Sequence, residues 1–331
     1  MKNGMERAIK NFAKQFSFRP VIKNSGALPR SRNSKGKHLL IGMGGSHLSA
    51  DVLKCLRPGH HLVIHSDYGL PPMSTAHLKE HLVILSSYSG NTEETINAFH
   101  AGRRAKLNMA VIAVGGALLE LAKEHGVPYI VLPETGIQPR MALGFGMLSI
   151  LALMGNGREI KALGKLSAKL HPGLHEKAGR AITRELRGSV PVFYSSVRNE
   201  AVAKNWKIKF NETGKIPAFY NVLPEMNHNE MTGFDAVSKS RPLSKSFRLV
   251  FLRDSSDHPR VKKRFGIMEK ILKKRGLAVL HADFSGKTRE ERVFGSLLTA
   301  DWASYHTALG YGAEPEQVPM VEEFKKLLND A

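Results

Sequence analysis

Short apolar segments alternate with helical patterns along almost the whole chain, and this alternation constrains the fold more than any other feature. Apolar, β-branched runs of strand length occur at residues 37–43, 61–66, 81–87, 109–114 and 128–132, and again at 190–196, 217–222, 247–252 and 277–284. Strands that are apolar on both faces and separated by helices predict parallel sheets covered by helices on both sides. We therefore expect an α/β protein with two doubly wound domains, one over residues 1–153 and one over 154–331.

Helical patterns lie between these runs and fill a long stretch in the middle of the chain. They cover residues 46–56, 92–106, 117–125, 199–211, 261–274, 291–309 and 318–329. The stretch 139–187 is also helical in pattern, with breaks at 155–157 and at Pro172-Gly173, because glycine and proline end helices. A length of 331 residues agrees with two domains of about 100–200 residues each.

Composition indicates an ordinary soluble protein, with 42% hydrophobic and 24% charged residues. No apolar run reaches the roughly 18 residues that a membrane span needs, and residues 1–37 lack the apolar core of a signal peptide. The single cysteine, Cys55, rules out an intramolecular disulfide and cysteine-based metal clusters held by this chain alone. We expect a cytoplasmic protein with no membrane partner.

Charge is unevenly distributed within a formal net charge of +20. Residues 1–37 carry a net charge of +9 and residues 260–276 a net charge of +7, so these two stretches hold most of the excess. One interpretation is attraction to polyanions or to a phosphorylated substrate. The other is a solvated helix face and a basic lead-in, which we favour because neither stretch interleaves aromatic residues or matches a nucleic-acid-binding motif.

A glycine-rich turn at residues 42–46 (GMGGS) joins the first predicted strand to the first helix. Gly45 and Ser46 would present backbone amides and the positive end of a helix dipole to a phosphate group. The turn lacks the lysine of a P-loop, and His47 stands where a dinucleotide fingerprint needs glycine. Asp67 follows the second strand and keeps a nucleotide-binding interpretation open. A purely structural tight turn is the other alternative.

A second motif, SSYSGNTEET at residues 86–95, follows the third strand and opens a helix. It places the hydroxyl groups of Ser87, Ser89 and Thr92 beside free helix amides, an arrangement suited to a phosphate monoester. The alternative is a capping box formed by Asn91 and Glu94. That alternative accounts for two residues but not for the three hydroxyl groups.

A glutamate and a histidine in the second half could carry acid–base chemistry. Glu212 ends the segment WKIKFNE at 206–212, and His228 lies within PEMNHNE at 224–230, among polar residues rather than on an apolar stripe. Aldose–ketose isomerisation needs a carboxylate to move a proton between C2 and C1 and a histidine to open the sugar ring. By itself the pair is weak evidence, since a chain of this length offers many such pairs.

Taken together, the motifs resemble those of the SIS (sugar isomerase) domain family, and most closely its bifunctional phosphoglucose/phosphomannose isomerase branch. The resemblance covers nearly the whole chain and implies two SIS domains. It implies reversible isomerisation of glucose 6-phosphate or mannose 6-phosphate with fructose 6-phosphate, without a metal or other cofactor.

The resemblance also implies residue roles. Glu212 is the base, and His228, contributed by the partner subunit of a homodimer, opens the ring. Arg140, in the Pro-Arg pair after the fifth strand, stabilises the intermediate, and Lys325 on the last helix lines the site. The active site is expected between the domains, with the phosphate bound by Gly45, Ser46, Ser87, Ser89 and Thr92.

Several positions depart from the family pattern without removing a presumed catalytic group. His47 replaces a small residue, Lys209 a glutamine and Glu314 an aspartate, while Thr213-Gly214 replaces Asn-Ala. These departures bear on substrate preference and turnover.

Other functions stay open at this point. One is a sugar-phosphate-binding SIS protein that regulates without turnover. Another is a nucleic-acid-associated role of the basic stretches, and a more distant one is a dinucleotide enzyme. We expect no metal site, because Pro172 and Gly173 break the helix that would bring His171 and His175 together.

Overall fold

The computed structural model describes residues 4–28, 36–235 and 237–329 and contains, within those ranges, two parallel sheets. The strands are β1 (Lys37–Ile41), β2 (Leu62–His65), β3 (His81–Ser86), β4 (Asn108–Ala113), β5 (Tyr129–Val131), β6 (Val190–Ser196), β7 (Phe219–Leu223), β8 (Phe247–Arg253) and β9 (Val279–Asp283). Each lies within two residues of a predicted run. The predicted strands and the α/β class are therefore confirmed.

Helices separate the strands as expected. They are α1 (Gly4–Lys10), α2 (Gly45–Leu56), α3 (Thr75–Leu78), α4 (Glu93–Arg104), α5 (Gly116–Glu124), α6 (Leu143–Leu153), α7 (Gly157–Gly164), α8 (Leu166–Lys169), α9 (Glu176–Leu186), α10 (Glu200–Glu212), α11 (Glu230–Gly233), α12 (Arg241–Lys245), α13 (Pro259–Lys274), α14 (Arg289–Gly310) and α15 (Pro319–Asn329). Single 3-10 turns cover Phe12–Ser17, Ser25–Ala27, Pro139–Met141, Pro172–His175, Val197–Asn199 and Glu225–His228. Among the described residues, no helix has both the length and the apolar character needed to cross a membrane.

Contacts divide the chain into two compact units. The first unit comprises residues 11–170, and the second joins α1 to the chain from His171 onward. The sequence places the boundary after residue 153, whereas the division lies between Leu170 and His171, because α7 and α8 contact the 3-10 turn Phe12–Ser17 of the first unit. Each unit has its own sheet and core.

The first unit is built on a five-stranded parallel sheet in the order β2-β1-β3-β4-β5. One face packs Leu39, Val83 and Val111 against Phe99 of α4 and Leu118 of α5. Successive residues of a strand point to opposite faces, and the strand residues between these are buried as well. The sheet is therefore covered on both sides, as its apolar strands predict.

The second unit repeats this arrangement with four parallel strands in the order β7-β6-β8-β9. On one face Phe193 contacts Trp206 and Phe210 of α10, with ring centroids 5.2 Å and 5.1 Å apart. On the other face Phe251 lies 5.1 Å from Phe265 of α13. Helices again cover both faces.

Each sheet has one point where the strand order reverses. The chain passes from β1 to β2 on one side and returns to β3 on the other, and it passes from β6 to β7 and returns to β8 in the same way. Ligands of open parallel sheets bind outside the carboxyl ends of the strands at such a point. The two glycine- and hydroxyl-rich motifs follow β1 and β3, so they meet at the reversal point of the first unit.

Stability of the first unit is expected to fall in mild acid because of His38 on β1. Burial of this ring, with the charges of His60 and His81 nearby, lowers its pKa to about 4. An unfolded histidine titrates near pH 6.5, so between about pH 6.5 and 4 only the unfolded chain binds this proton and stability decreases as the pH falls.

Urea denaturation of a His38→Leu variant should therefore show about 1 to 2 kcal/mol less loss of unfolding free energy between pH 7 and pH 5 than the parent. His61→Leu, which changes an exposed histidine beside β2, is the control and should keep the parent's dependence. If the unfolding free energy of all three proteins decreased equally between pH 7 and pH 5, His38 would not be the titrating group.

Candidate active site

Gly45 and Arg140, two predicted site residues, approach each other closely in the first unit. Gly45 is the first residue of α2, and Arg140 lies in the 3-10 turn Pro139–Met141. A Cβ atom on Gly45 would lie only 2.6 Å from the backbone nitrogen of Arg140. A glycine is therefore required here, and the buried Arg140 is held against the amino-terminal end of α2, where amides and the helix dipole favour anions.

The glycine-rich turn also contacts the hydroxyl-rich loop directly. The backbone N–H of Tyr88 donates to Ser46 Oγ at 2.9 Å, and Ser86 Oγ donates to the Ser46 carbonyl oxygen at 3.0 Å. A Cβ atom on Gly42 would lie 2.6 Å from the carbonyl oxygen of Ser86. The predicted phosphate-binding turns thus lie side by side.

The three predicted hydroxyl groups differ in exposure. Ser87 is fully buried, with its Oγ 2.8 Å from Thr92 Oγ1 and accepting a hydrogen bond from the Gly90 N–H at 3.1 Å. Ser89 is exposed, and its Oγ accepts from the Asn91 N–H at 3.2 Å. The loop therefore holds a buried hydroxyl at Ser87, a half-buried one at Thr92 that contacts it, and an exposed one at Ser89.

Asn91 does not form the capping box that the sequence offered as an alternative. The residue that caps α4 is Thr92, and Asn91 Oδ1 instead accepts a hydrogen bond from the N–H of Ala117 at the start of α5, at 2.9 Å. The capping-box interpretation with Glu94 is wrong because the side chain has a tertiary partner, which a local spacing rule does not reveal. Asn91 ties the hydroxyl-rich loop to the next helix.

Carboxylates, not hydroxyl groups alone, occupy the reversal point of the second unit. Ser196 Oγ donates to Asp257 Oδ1 at 2.7 Å, and Asn199 Nδ2 donates to the same oxygen at 3.1 Å. Burial raises the pKa of Asp257. Asp254, beside it, pairs with Arg289 at 2.5 Å. Arg292 also pairs with Asp254, at 3.2 Å, so the charges at this point are balanced within the unit.

Glu212 is the last residue of α10 and is half-buried. Its carbonyl oxygen accepts a hydrogen bond from Lys215 Nζ at 2.6 Å, and the same ammonium group donates to the carbonyl oxygen of Gln317. Lys215 therefore ties the end of α10 to the segment just before α15, the helix that carries Lys325. Sequence reasoning missed Lys215, because its partners are backbone oxygens with no sequence signature.

Lys325 lies on an exposed stretch of α15. Its ammonium nitrogen is 2.8 Å from Glu322 Oε1, and both side chains are about 60% exposed. Such a pair contributes little to stability, so the ammonium group is available to a ligand at small cost.

His228 lies at the opposite edge of the sheet from Glu212. The helix α10 ends at Glu212, β7 then runs from Phe219 to Leu223, and His228 ends the 3-10 turn that follows. A five-residue strand spans about 16 Å, and His228 is exposed. The strand β7 thus lies between the predicted base and the predicted ring-opening histidine along the chain.

Comparison with known proteins assigns the chain to a family. A bifunctional phosphoglucose/phosphomannose isomerase of Aquifex aeolicus is 32% identical over 327 residues, covering 97% of each chain. The chain belongs to the bifunctional phosphoglucose/phosphomannose isomerase family. A relative of the same name from Caldicellulosiruptor bescii is 31% identical over 312 residues, covering 88% of this chain and 89% of the relative.

Two further matches agree with this family. Residues 175–328 match the family described as the bacterial phospho-glucose isomerase C-terminal SIS domain. The structure of a glucosamine-6-phosphate deaminase from Thermotoga maritima superposes with a TM-score of 0.66 at 16% identity, covering 95% of this chain and 97% of that one. The structural match shows the fold alone, and the predicted SIS-type α/β architecture is confirmed.

Three residues that depart from the family pattern, His47, Lys209 and Glu314, form contacts with neighbouring residues. His47 is buried, with Nδ1 2.9 Å from Asp51 Oδ2 one turn along α2. Glu314 accepts a hydrogen bond from the N–H of Glu316 at 2.9 Å. Lys209 is buried on α10 and pairs with Asp301 on α14, which is also buried. Each departure is thus accommodated by a contact within its own unit.

The structure was expected to have no metal site, and its side chains bear on that expectation within the described residues. No group of three or more His, Cys, Asp and Glu side chains within those ranges could hold a metal ion. His175, one of the two histidines weighed from the sequence, has its Nδ1 3.2 Å from Thr299 Oγ1.

Lys209 and Asp301 should be strongly coupled in stability. Removing one member of a buried ion pair leaves the other charge without its main partner and costs about 3–5 kcal/mol, whereas replacing both with apolar groups costs far less. We expect Lys209→Met to destabilise the protein by that amount and Lys209→Met/Asp301→Leu to recover most of the loss in urea denaturation.

Lys207→Met is the matched control. Lys207 is a half-buried lysine on the same helix that pairs with no carboxylate among the described residues. If the double variant were no more stable than Lys209→Met alone, the ion pair would not be the source of the effect.

Proposed function

We propose that the protein catalyses the reversible isomerisation of glucose 6-phosphate, mannose 6-phosphate or both with fructose 6-phosphate. The observation that carries the proposal is similarity along 97% of both chains to a relative named for these two activities. The neighbouring turns at residues 42–46 and 86–92 add support, because they contact each other and carry the amides and hydroxyl groups that suit a phosphate monoester.

The phosphate is assigned to Gly45, Ser46, Ser87, Ser89 and Thr92. Neutral donors suit this task, because they fix the phosphate without competing with it for a proton. The direct contacts between the two turns support a single binding surface.

The chemistry is assigned to four side chains. His228 donates a proton to the ring oxygen as the C1–O5 bond breaks, and the C1 hydroxyl group gives up its proton as it becomes the aldehyde, so one proton passes in net from O1 to the ring oxygen. Glu212 removes the proton from C2, the electron pair of that C–H bond forms the C1–C2 double bond, and the π electrons of the aldehyde move to O1 to give the enediolate. The proton of the C2 hydroxyl group then passes to O1, an electron pair on O2 forms the carbonyl at C2, and Glu212 returns its proton to C1. The Arg140 guanidinium stabilises the enediolate oxygens, and Lys325 adds a second positive charge.

A homodimer completes this assignment, with His228 acting in the active site of the partner subunit. The support is the order of the elements, because Glu212 precedes β7 and His228 follows it, so that a strand about 16 Å long lies between them along the chain. An exposed histidine at the end of a 3-10 turn is accessible to a second copy of the chain. The cytoplasmic location expected from the sequence stays a prediction.

The direct test is fructose 6-phosphate formation by the purified protein from each aldose phosphate, with EDTA present. Turnover of either substrate supports the proposal. Absence of turnover together with saturable binding of fructose 6-phosphate would replace it with a non-catalytic sugar-phosphate-binding protein.

Glu212→Gln should lower kcat by about 10²- to 10⁴-fold, because the amide cannot accept the C2 proton. KM should change little, since the group acts in the transition state rather than in binding. The measurement is steady-state kinetics with glucose 6-phosphate. Glu200→Gln, an exposed glutamate at the other end of α10, is the matched control, and unchanged turnover in Glu212→Gln would remove the proposed base.

Mixing two inactive variants should restore activity if His228 acts across the subunits. Glu212→Gln and His228→Gln each lack one group in every site, but a mixed dimer has one site with both groups intact. After denaturation and renaturation together, an equal mixture should reach about a quarter of the parent's activity. Activity no higher than that of the separate variants would place both groups in the same chain's site.

A further inference from the structure

A surface pocket of the second unit lies outside the residues assigned above. It opens between α13 and the segment that precedes and enters α11, and its volume is about 430 Å³. Its lining consists of Asn227, Met231, Arg260, Lys263, Arg264, Ile267, Met268 and Ile271. Pockets of about 300–1,000 Å³ are the size that holds small organic ligands.

Three cations line one side of this pocket. Arg260, Lys263 and Arg264 stand at the i, i+3 and i+4 positions of α13, so their side chains lie on one face of the helix. Among the described residues none of them pairs with a carboxylate, whereas Lys273 on the same helix pairs with Glu269 at 2.6 Å. The pocket therefore carries three positive charges that only a ligand or solvent ions can balance.

The rest of the lining is apolar. Met231, Ile267, Met268 and Ile271 form it, and Ile267 is 47% exposed although it is a large aliphatic residue. Thioether sulfur atoms make favourable contacts with aromatic rings. The lining thus offers an aromatic or heteroaromatic ring a surface next to the three cations.

We propose that this pocket binds a nucleoside triphosphate, with the phosphate groups on Arg260, Lys263 and Arg264 and the base against the methionine and isoleucine side chains. Three neighbouring cations offset most of the negative charge of a triphosphate, and guanidinium groups bind phosphate oxygens in a bidentate manner. The Arg264 guanidinium is already oriented, because its Nη1 donates to Asn227 Oδ1 at 3.3 Å.

A small nucleotide fits this surface better than a nucleic acid strand. Grooves for single strands combine an extended cationic track with aromatic side chains on which successive bases stack. The lining here contains no aromatic residue, and its cations are confined to just over one turn of a helix. A concave pocket with one cationic end and one apolar end is the form of a site for a single molecule.

Titration calorimetry with ATP, in EDTA and at about 0.15 M salt, tests the proposal on the full chain. We expect saturable binding of one ATP per chain with a Kd of about 0.1 mM or tighter. Fructose 6-phosphate at saturating concentration should leave the ATP affinity unchanged, because the two ligands occupy different sites.

Two charge-matched variants localise the binding. Arg260→Gln/Lys263→Gln removes two cations from the pocket and should weaken ATP binding by about tenfold or more. Lys270→Gln/Lys274→Gln removes two exposed cations from the same helix outside the pocket and should bind ATP as the parent does. All four residues are exposed, so both variants should keep the parent's thermal stability.

Four results would overturn the proposal. The first is the absence of saturable ATP binding. The second is equal weakening in both variants, and the third is tighter binding of a single-stranded oligonucleotide than of ATP; either would indicate a diffuse polyanion-binding surface. The fourth is displacement of ATP by fructose 6-phosphate, which would make the pocket a part of the sugar-phosphate site.

Discussion

The reversal of strand order between β1 and β3 is the constraint on which the candidate site depends. Because β2 lies on one side of β1 and β3 on the other, the loops after β1 and β3 leave the sheet next to each other. Glycines then allow backbone contacts that no side chain would permit. A Cβ atom on Gly90 would lie 1.7 Å from the carbonyl oxygen of Gly115, and one on Gly45 would clash with Arg140. The chemistry of the first unit rests on this close packing of backbone.

The two units share an architecture but differ in the groups placed at the same position. In the first, hydroxyl groups and amides face the reversal point; in the second, Asp254 and Asp257 fill it. Burial pushes the pKa of Asp254 upward, but hydrogen bonds from Ser256 and the charges of Arg289 and Arg292 outweigh it and hold the pKa low. The two units therefore share a topology but place different side chains at the reversal point.

Sequence patterns predicted every strand to within two residues, because runs of apolar β-branched residues bounded by glycine and polar residues have few alternatives. They missed the short helices α1, α3, α11 and α12, which are too short to show a clear period. The family resemblance and the SIS fold were also predicted from the two motifs, since those motifs are contiguous in sequence.

Contacts between residues far apart along the chain could not be predicted from the sequence. The hydrogen bond from Ala117 to Asn91, the bridge from Lys215 to Gln317 and the pairing of Lys209 with Asp301 join residues 26, 102 and 92 positions apart. No local spacing encodes such partners. The roles of Glu212, His228, Arg140 and Lys325 remain predictions for the same reason, since each depends on what surrounds a bound sugar.

The buried pair of Lys209 and Asp301 has a consequence for how this chain could exchange parts with its relatives. Transplanting α10 from a relative with a neutral residue at position 209 would remove the lysine that pairs with the buried aspartate of α14, and transplanting α14 from a relative with a neutral residue at position 301 would remove the partner of the lysine. Helices α10 and α14 are therefore best exchanged together. A recombination point between residues 212 and 289 separates them, so a chimera in which only one member of the pair is kept should be less stable than this chain.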